Sequence, residues 1–493
     1  MRFLGLLLSP LVVLAAVTTV AHPPAAGGSV AEDEAFPGPP VAPAPPVLTA
    51  LDVTDGAVFD EVELANRLDP FVGDELLGSS AISVWDPVAD RPVFRSRSEV
   101  ALVPASSMKV VTAASALTVL GPERRLATRV LLDGGRLVLV GGGDPTLTTR
   151  TENPPDAYPE RTLMPVLVTA VVAALEQRGE STVTVDFDDS LFRGPRMGPQ
   201  WSDSWPQEEI VAPVYALAFQ PGDPNVPVAT ADTDRAAVVA RWLAEQLSAA
   251  GINARFGERV TVSPEAEELA RATSVPLAAI VDATLSYSDN DMAETLFRLA
   301  AVGNGQPGSF AGGAATSTAV LRDLGIDVAA LNLADGSGLS RDNLLTARSL
   351  AALMAQVSVL AAGEALVTAA APEVELAPAD AEPGQGEPEA SASEVVETAS
   401  RRSWLVPSLA VGGFYGTLAP RFDEPDAQPG RGRTFAKTGT LTGVLSLSGV
   451  VRTEQGSLLS FAVIGNDVPA TAPGREVLDE IAAALAACGC AAG

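Results

Sequence analysis

The two lysines are the residues of this sequence best suited to chemistry, because all the other strongly basic side chains are arginines. Lys109 ends the motif Ser106-x-x-Lys109, and Lys437 begins the sequence KTGT at positions 437–440. A guanidinium group stays protonated in proteins, whereas a desolvated ammonium group can lose its proton and then act as a base. The use of lysine at these two positions therefore indicates that each position needs an amine.

Histidine and cysteine offer no competing chemistry. The only histidine, His22, borders an apolar N-terminal segment that we expect to be removed. Cys488 and Cys490 lie among the last few residues, where an oxidising compartment would let them form a small, strained disulfide. A Ser-His-Asp triad, a Cys-His pair and a His-ligated zinc site are excluded. If a serine is the nucleophile, a lysine must activate it.

Three motifs follow one another in the order Ser106-x-x-Lys109, Ser288-x-Asn290 and the KTG at 437–439. Helical spacing of apolar residues from 106 to 120 predicts a helix that begins at Ser106, with Lys109 one turn further on the same face. Ser288 and Asn290 fall in a short connection between two predicted helices, and the KTG ends a predicted strand. The sequence therefore predicts that well-defined elements position all three motifs.

The elements around the motifs predict an α/β (α+β) fold in which helices flank an antiparallel sheet. Alternating apolar residues indicate two strands before the first motif and three strands around and after the last one. These strands are predicted at 81–86, 92–96, 433–438, 444–452 and 458–465, and an amphipathic helix at 474–487 follows them.

Residues 124–271, which lie between the first two motifs, have an α/β pattern of their own, and we call them the insert. Within the insert we expect a hairpin at 130–140, helices at 164–177 and 235–250, and a strand at 182–187. The catalytic domain would then comprise 56–123 and 272–493. Inside it, residues 361–400 are rich in Ala, Pro and Glu and are predicted to be a disordered loop.

Composition and the N-terminal segment limit the function. The formal charge of −29 argues against a nucleic-acid partner and against electrostatic attachment to anionic lipid. Residues 1–21 are typical of a signal peptide or an uncleaved anchor, and a Pro/Ala-rich linker follows at 22–55. We therefore expect the protein to lie outside the cytoplasm, secreted or tethered to the outer face of the cytoplasmic membrane, and to contact the membrane only through this anchor.

Together and in this order, the three motifs are the signature of the penicillin-recognising serine acyltransferases. From about Ile82 to Asn466 the sequence closely resembles the D-alanyl-D-alanine carboxypeptidase/endopeptidase family, the class C low-molecular-mass penicillin-binding proteins. Further stretches carry the resemblance: GGDPTL at 142–147, YSDNDMAETLFR at 287–298, DGSGLSRDN at 335–343, and GTL at 416–418. The resemblance implies a transpeptidase-like domain that is split by inserted domains.

Chemistry and resemblance together imply a role for each side chain in the first two motifs. Ser106 would attack the carbonyl of the D-Ala–D-Ala bond and form an acyl-enzyme. Lys109 would take the serine proton, with its pKa lowered by desolvation and by the nearby Lys437. Ser288 would relay a proton to the leaving nitrogen, and Asn290 would hold Lys109 or the substrate amide.

The third motif would bind the substrate. Lys437 and Thr438 would hold the terminal carboxylate, and Gly439 would let the substrate backbone lie against the strand. The backbone N–H groups of Ser106 and Thr440 would form the oxyanion hole. We expect peptidoglycan stem peptides as substrates and β-lactam antibiotics as covalent inhibitors, with neither a metal nor another cofactor.

Two further sets of residues are open to more than one interpretation. The loop of Asp335, Gly336 and Gly338 is expected to be a structural turn rather than part of the chemistry. Asp188, Asp189 and Phe192 of the insert would either contact an amine of the substrate side chain or form an ordinary surface turn.

Two other functions remain as alternatives. A β-lactamase needs a base that activates water, and no such motif is evident between Lys109 and Ser288. A catalytically inactive wall-binding scaffold would not need the intact motif residues.

Overall fold

The computed structural model describes residues 58–367, 400–489 and 491–492. The predicted N-terminal segment and the whole linker therefore lie outside the described residues, as does Cys490. Nine α-helices are numbered here within the described part of the chain: α1 Glu61–Leu68, α2 Met108–Leu120, α3 Met164–Arg178, α4 Arg235–Ala249, α5 Leu277–Ser286, α6 Asn290–Gly303, α7 Phe310–Asp323, α8 Ala347–Val367 and α9 Thr471–Ala486. No helix among these residues is both long enough and apolar enough to span a membrane.

The strands are short in the connections and long in two sheets. They are β1 Val58–Phe59, β2 Ser79–Asp86, β3 Arg91–Ser96, β4 Ala101–Leu102, β5 Ala127–Asp133, β6 Arg136–Val140, β7 Leu147–Thr148, β8 Thr162–Leu163, β9 Thr182–Asp188, β10 Asn253–Arg259, β11 Glu267–Thr273, β12 Leu345–Thr346, β13 Ala410–Val411, β14 Thr434–Leu441, β15 Val444–Arg452, β16 Leu458–Asn466 and β17 Ala491–Ala492.

The main sheet contains six strands in the order β13-β14-β15-β16-β2-β3, and every neighbouring pair is antiparallel. Strands that precede the first motif therefore share a sheet with the strand that carries Lys437. Helix α8 packs on β16, β2 and β15, whereas α9 packs on β15 beside α1. This arrangement confirms the prediction of an antiparallel sheet flanked by helices.

Burial on both faces explains why the central strands are apolar almost throughout. Side chains alternate between the two faces of a strand. On β2, Ile82 and Val84 pack in the same core as Ile481 of α9. Ala81 and Trp85, which point the other way, pack in the core formed by α2, α5, α6, α7 and α8. A sheet covered on both faces needs apolar residues at successive positions.

The insert contains a second sheet with five strands in the order β10-β9-β6-β5-β11. Strands β5 and β6 form the predicted hairpin, and Gly134 and Gly135 supply the positive φ angles of its turn. Helices α3 and α4 pack on this sheet in a core of their own. The first and last strands are paired, with Ala127 opposite Thr273, so the chain enters and leaves the insert at one place. The domain boundaries given above stay a prediction.

One predicted boundary is wrong. Residues 361–367, which were assigned to the disordered loop, continue α8 as far as Val367. Their sequence, AAGEALV, is dominated by good helix formers, so a helix that has already begun can extend through it. Residues 368–399 of the predicted loop lie outside the described residues.

Candidate active site

Ser106 lies in a 3₁₀ turn, Ala105–Ser107, which leads directly into α2. The prediction that the helix begins at Ser106 is therefore wrong by two residues, because the first turn is wound more tightly. Ala105 has a φ of 46°, an unusual value for a side chain with a Cβ. A Cβ added at Gly338 would lie 1.9 Å from the Ala105 carbonyl oxygen, so only glycine fits against this turn. Such strain is common at functional sites.

The Lys109 side chain is fully buried and makes three hydrogen bonds. Its Nζ donates to Ser106 Oγ at 3.0 Å, to Asn290 Oδ1 at 2.7 Å and to the Ser337 carbonyl oxygen at 2.7 Å. The carbonyl and amide oxygens can only accept hydrogen bonds, whereas a serine hydroxyl can also donate. When Lys109 is neutral, its two N–H groups stay on the two oxygens and its lone pair faces Ser106. The site is therefore arranged for transfer of a proton from Ser106 to Lys109.

Burial lowers the pKa of Lys109 to about 8, although the nearby carboxylates of Glu294, Asp335, Asp289 and Asp291 act in the opposite direction. A pKa of about 8 leaves a usable fraction of neutral amine near neutral pH. Desolvation thus lowers this pKa as predicted, whereas the predicted contribution of Lys437 to the pKa of Lys109 is not found.

Ser288 lies in the short connection between α5 and α6, and its φ of 61° also falls in the left-handed region. The Asp289 carboxylate accepts a hydrogen bond from Met292 N at 2.8 Å and caps α6. Asn290 is the first residue of that helix. Its Oδ1 holds Lys109, and its Nδ2 donates to the Ile210 carbonyl of the insert at 2.8 Å. Of the two roles expected for Asn290, these contacts favour holding Lys109 over binding the substrate amide.

Lys437 is fully buried on β14 and lies next to Ser288. Its Nζ donates to Ser288 Oγ at 2.8 Å and to the Thr438 carbonyl oxygen at 2.7 Å. Burial and the Lys109 ammonium lower the pKa of Lys437 well below its ordinary value. Because repulsion between two ammonium groups is mutual, the pair releases its first proton more readily than two independent lysines would.

Gly439 brings β14 against the Ser106 turn. A Cβ at this position would lie 2.1 Å from Ser446 Oγ, 2.8 Å from the Pro104 carbonyl oxygen and 3.1 Å from Ser106 N. Ser446 Oγ donates to that carbonyl at 2.6 Å and lies 2.8 Å from Ser107 Oγ, so it ties the turn to the sheet. The glycine is therefore required for the close approach of the two backbones.

A cavity of about 650 Å³ opens beside Ser106, Ser288, Thr438 and Thr440. Thr438 Oγ1 donates to Thr417 Oγ1 at 3.0 Å, which connects the KTG strand to the GTL segment at 416–418. The structure thus brings all eight sequence-predicted site residues to one cleft, namely Ser106, Lys109, Ser288, Asn290, Lys437, Thr438, Gly439 and Thr440.

Two arginines that the sequence analysis did not select as site residues also line this cavity. Arg421 is 12% exposed and forms an ion pair with Asp479 at 2.8 Å. Arg475, on the first turns of α9, is exposed, and its Nη2 donates to Thr440 Oγ1 at 3.3 Å. Among the described residues that line the cavity, Arg475 is the cation whose charge no ion pair neutralises.

The turn at 335–343 is structural, but it also reaches the site. Asp335 is fully buried, and its carboxylate accepts from Gly338 N, Ser340 N and Trp201 Nε1. Glu294 accepts from the N–H groups of residues 336 and 337. Together these contacts fix the Ser337 carbonyl that holds Lys109.

The insert residues proposed as amine contacts are already engaged within the protein. Asp188 accepts from Ser190 N and Val262 N, and Asp189 forms ion pairs with Arg196 and Arg259. Phe192 is buried. These contacts favour the structural interpretation. Within the described ranges, no group of three or more His, Cys, Asp or Glu side chains is arranged to hold a metal ion.

Comparison with known proteins gives consistent results. The model of the D-Ala-D-Ala carboxypeptidase 3 (S13) family matches residues 64–229, 221–368 and 391–487. A carboxypeptidase of Mycobacterium tuberculosis is 32% identical over 463 residues, which cover 92% of this chain and 90% of that protein. Carboxypeptidase DacB of Mycolicibacterium smegmatis is 31% identical over 465 residues, with coverage of 92% and 90%. These matches confirm the resemblance drawn from the motifs.

A solved structure shows the same fold. Penicillin binding protein 4 of Haemophilus influenzae aligns with a TM-score of 0.61 and 19% sequence identity, over 86% of this chain and 98% of that chain.

Proposed function

The chain belongs to the D-Ala-D-Ala carboxypeptidase 3 (S13) family and is a serine-type carboxypeptidase of that family, and we propose that it cleaves D-Ala-containing peptide bonds of peptidoglycan stem peptides. The observation that carries this proposal is the fully buried Lys109, whose Nζ lies 3.0 Å from Ser106 Oγ. Carboxypeptidase and endopeptidase reactions share one acyl-enzyme, so the same residues serve both.

Acylation begins when Ser106 Oγ attacks the carbonyl carbon of the scissile bond and its proton passes to neutral Lys109. The developing oxyanion accepts hydrogen bonds from the N–H groups of Ser106 and Thr440. The closeness of β14 to Ser106 N supports this assignment.

Expulsion of the leaving group needs a proton on its nitrogen. Ser288 Oγ supplies this proton and is reprotonated by Lys437, whose Nζ lies 2.8 Å away. The lowered pKa of Lys437 makes it a ready donor. The C–N bond breaks, D-alanine or a longer amine leaves, and water later hydrolyses the ester on Ser106.

The terminal carboxylate of the substrate binds at Thr438 and Thr440. The ammonium of Lys437 is buried beneath them and already has two acceptors, so it attracts the carboxylate through its charge. Arg475 provides an exposed guanidinium beside Thr440 for direct contact.

We propose that the protein lies outside the cytoplasm, secreted or held by an N-terminal anchor. Residues 1–21 are typical of a signal peptide or anchor, and the proposed substrate is a wall polymer. N-terminal sequencing of the mature protein from fractionated cells tests this. Protein recovered from the cytoplasm with its N-terminus intact would contradict it.

Mass spectrometry after incubation with penicillin tests the enzyme itself. We expect a long-lived covalent adduct on Ser106, absent from the Ser106→Ala variant, and release of D-alanine from a small D-Ala–D-Ala peptide. Rapid turnover of the adduct would favour a β-lactamase. A folded protein that forms no adduct and releases no D-alanine would favour a scaffold.

A further inference from the structure

A groove of about 1030 Å³, separate from the catalytic cleft, lies where the insert meets α2 and α6. Leu120 and Leu299 line it from the helices, and Val140 lines it from the insert sheet. Five arginines also line it, from the α2–β5 connection, from β5, from the loop after β9 and from β11: Arg124, Arg125, Arg129, Arg193 and Arg271. We call this the arginine groove.

The charge of this groove is opposite to that of the protein. The chain has 61 acidic residues against 32 Lys and Arg, about two carboxylates for each cation. The residues that line the groove include five arginines and one carboxylate, Asp188, and Glu268 lies beside two of these arginines. Scattered surface arginines would follow the ratio of the whole chain, so this excess needs its own explanation.

The two carboxylates are engaged, but part of the positive charge is not. Both oxygens of Asp188 accept backbone N–H groups, from Ser190 and Val262, each at 2.8 Å. Glu268 pairs with Arg271 at 2.8 Å and with Arg129 at 4.0 Å.

The remaining arginines contact only backbone oxygens or solvent. Arg125 donates to the Ser274 carbonyl oxygen at 2.8 Å, and Arg193 makes one long contact, 3.4 Å, to the Ser190 carbonyl oxygen. Both Arg124 and Arg193 are exposed, and neither pairs with a carboxylate among the residues that the structure describes. Their charges are therefore available to a ligand.

We propose that the arginine groove binds an extended anionic ligand that carries several phosphate or carboxylate groups. The planar guanidinium offers paired N–H donors that match both of these oxyanions, and arginine keeps its charge at any physiological pH. Several such groups lining one concave surface concentrate the positive potential there. The groove takes no part in the acyl-enzyme chemistry. An experiment can therefore contradict this proposal without contradicting the proposed function, and the reverse.

Calorimetric titration at low ionic strength with inorganic tripolyphosphate and with citrate tests the proposal on the whole protein. The test variant is Arg124→Gln/Arg193→Gln. The control is Arg95→Gln/Arg255→Gln, which removes the same charge from exposed positions outside the groove.

We expect wild type and control to bind at least one of the two anions, with affinity that falls as salt is added. The test variant should bind about tenfold more weakly or worse, because charge-assisted hydrogen bonds are lost. A preference for tripolyphosphate would identify a phosphate-bearing ligand, and a preference for citrate a carboxylate-bearing one. Release of D-alanine from a small peptide should be unchanged in both variants.

Two outcomes overturn the proposal. The first is that wild type binds neither anion, and the second is that both variants lose affinity equally, which would reveal only general attraction. Thermal unfolding distinguishes ligand binding from a purely structural role of the arginines. Helices α2 and α6 end close to the groove, and arginines near their C-termini can stabilise the helices without binding any ligand. A ligand must raise the Tm of wild type but not that of the test variant.

Discussion

Positive charge in the catalytic cleft comes chiefly from two buried lysines, whereas in the arginine groove it comes from arginines at the surface. Lys109 and Lys437 are fully buried, and burial lowers the pKa of both. Arg124 and Arg193 of the groove remain exposed. A cation that must give up a proton has to be an amine held away from water, while one that only attracts an anion works best as a permanently charged guanidinium. The burial of the lysines thus suits proton transfer, and the exposure of the arginines suits attraction of an anion.

Replacing Lys109, the proposed base, should have the largest effect. Lys109→Arg keeps the charge but removes the group that can become neutral. We expect acylation of Ser106 by penicillin to fall by about a hundred- to ten-thousandfold, which is the usual contribution of a general base. Stopped-flow or mass-spectrometric acylation rates measure this, with circular dichroism to confirm folding. Near-normal acylation by a folded variant would rule out the Ser-Lys mechanism.

Replacing the second lysine should cost less. In Lys437→Arg the positive charge beneath Thr438 is kept, but the hydrogen bond from Nζ to Ser288 Oγ is disturbed. A hydrogen bond to a charged group contributes about 1.5–3 kcal/mol, so we expect a loss of roughly ten- to a hundredfold in the acylation rate. The same assay measures it. A loss as large as that of Lys109→Arg would show that proton transfer from Lys437 to Ser288 limits acylation as strongly as proton removal by Lys109.

The pH dependence of acylation reports the titration directly. Because burial lowers the pKa of Lys109 to about 8, the neutral amine increases as the pH rises toward that value. We expect kcat/KM to fall by about tenfold for each pH unit below the pKa and to level off above it. Rates measured from pH 5.5 to 9.5 check this sign. A rate that is flat across this range would show that Lys109 is already neutral or is not the base.

The side chains of the site could be predicted from the sequence because the chemistry restricts the residue types and the motifs fix their order. Once histidine was excluded, the motifs of Ser106, Lys109 and Lys437 were the remaining candidates for a nucleophile activated by an amine. The structure adds what a side-chain pattern cannot reveal. The Ser337 carbonyl that holds Lys109 is a backbone atom, and residue type carries no signal for its position.

Long-range contacts were equally hidden in the sequence. Ser446 joins the Ser106 turn to the sheet through Ser107, although the two serines are 339 positions apart in the chain. The positions of the main-sheet strands followed from apolar alternation, but their order in the sheet was not predicted. Helix α8 also extends further than predicted, because an Ala-rich sequence suits both a helix and a loop. The mixed order of the insert sheet depends on parallel pairs that local sequence does not specify.

Replacing Arg475 should have the smallest effect, because its proposed role is to attract the substrate carboxylate at the exposed edge of the cleft. Its guanidinium donates to Thr440 Oγ1 and is exposed, so water screens its attraction for a substrate carboxylate. We expect Arg475→Gln to lower kcat/KM for a D-Ala–D-Ala peptide by roughly two- to fivefold, as for an exposed ion pair. A peptide whose terminal carboxylate is amidated should show no such loss, and Arg95→Gln serves as the charge-matched control. An equal loss on both peptides would mean that Arg475 supports β14 rather than the substrate.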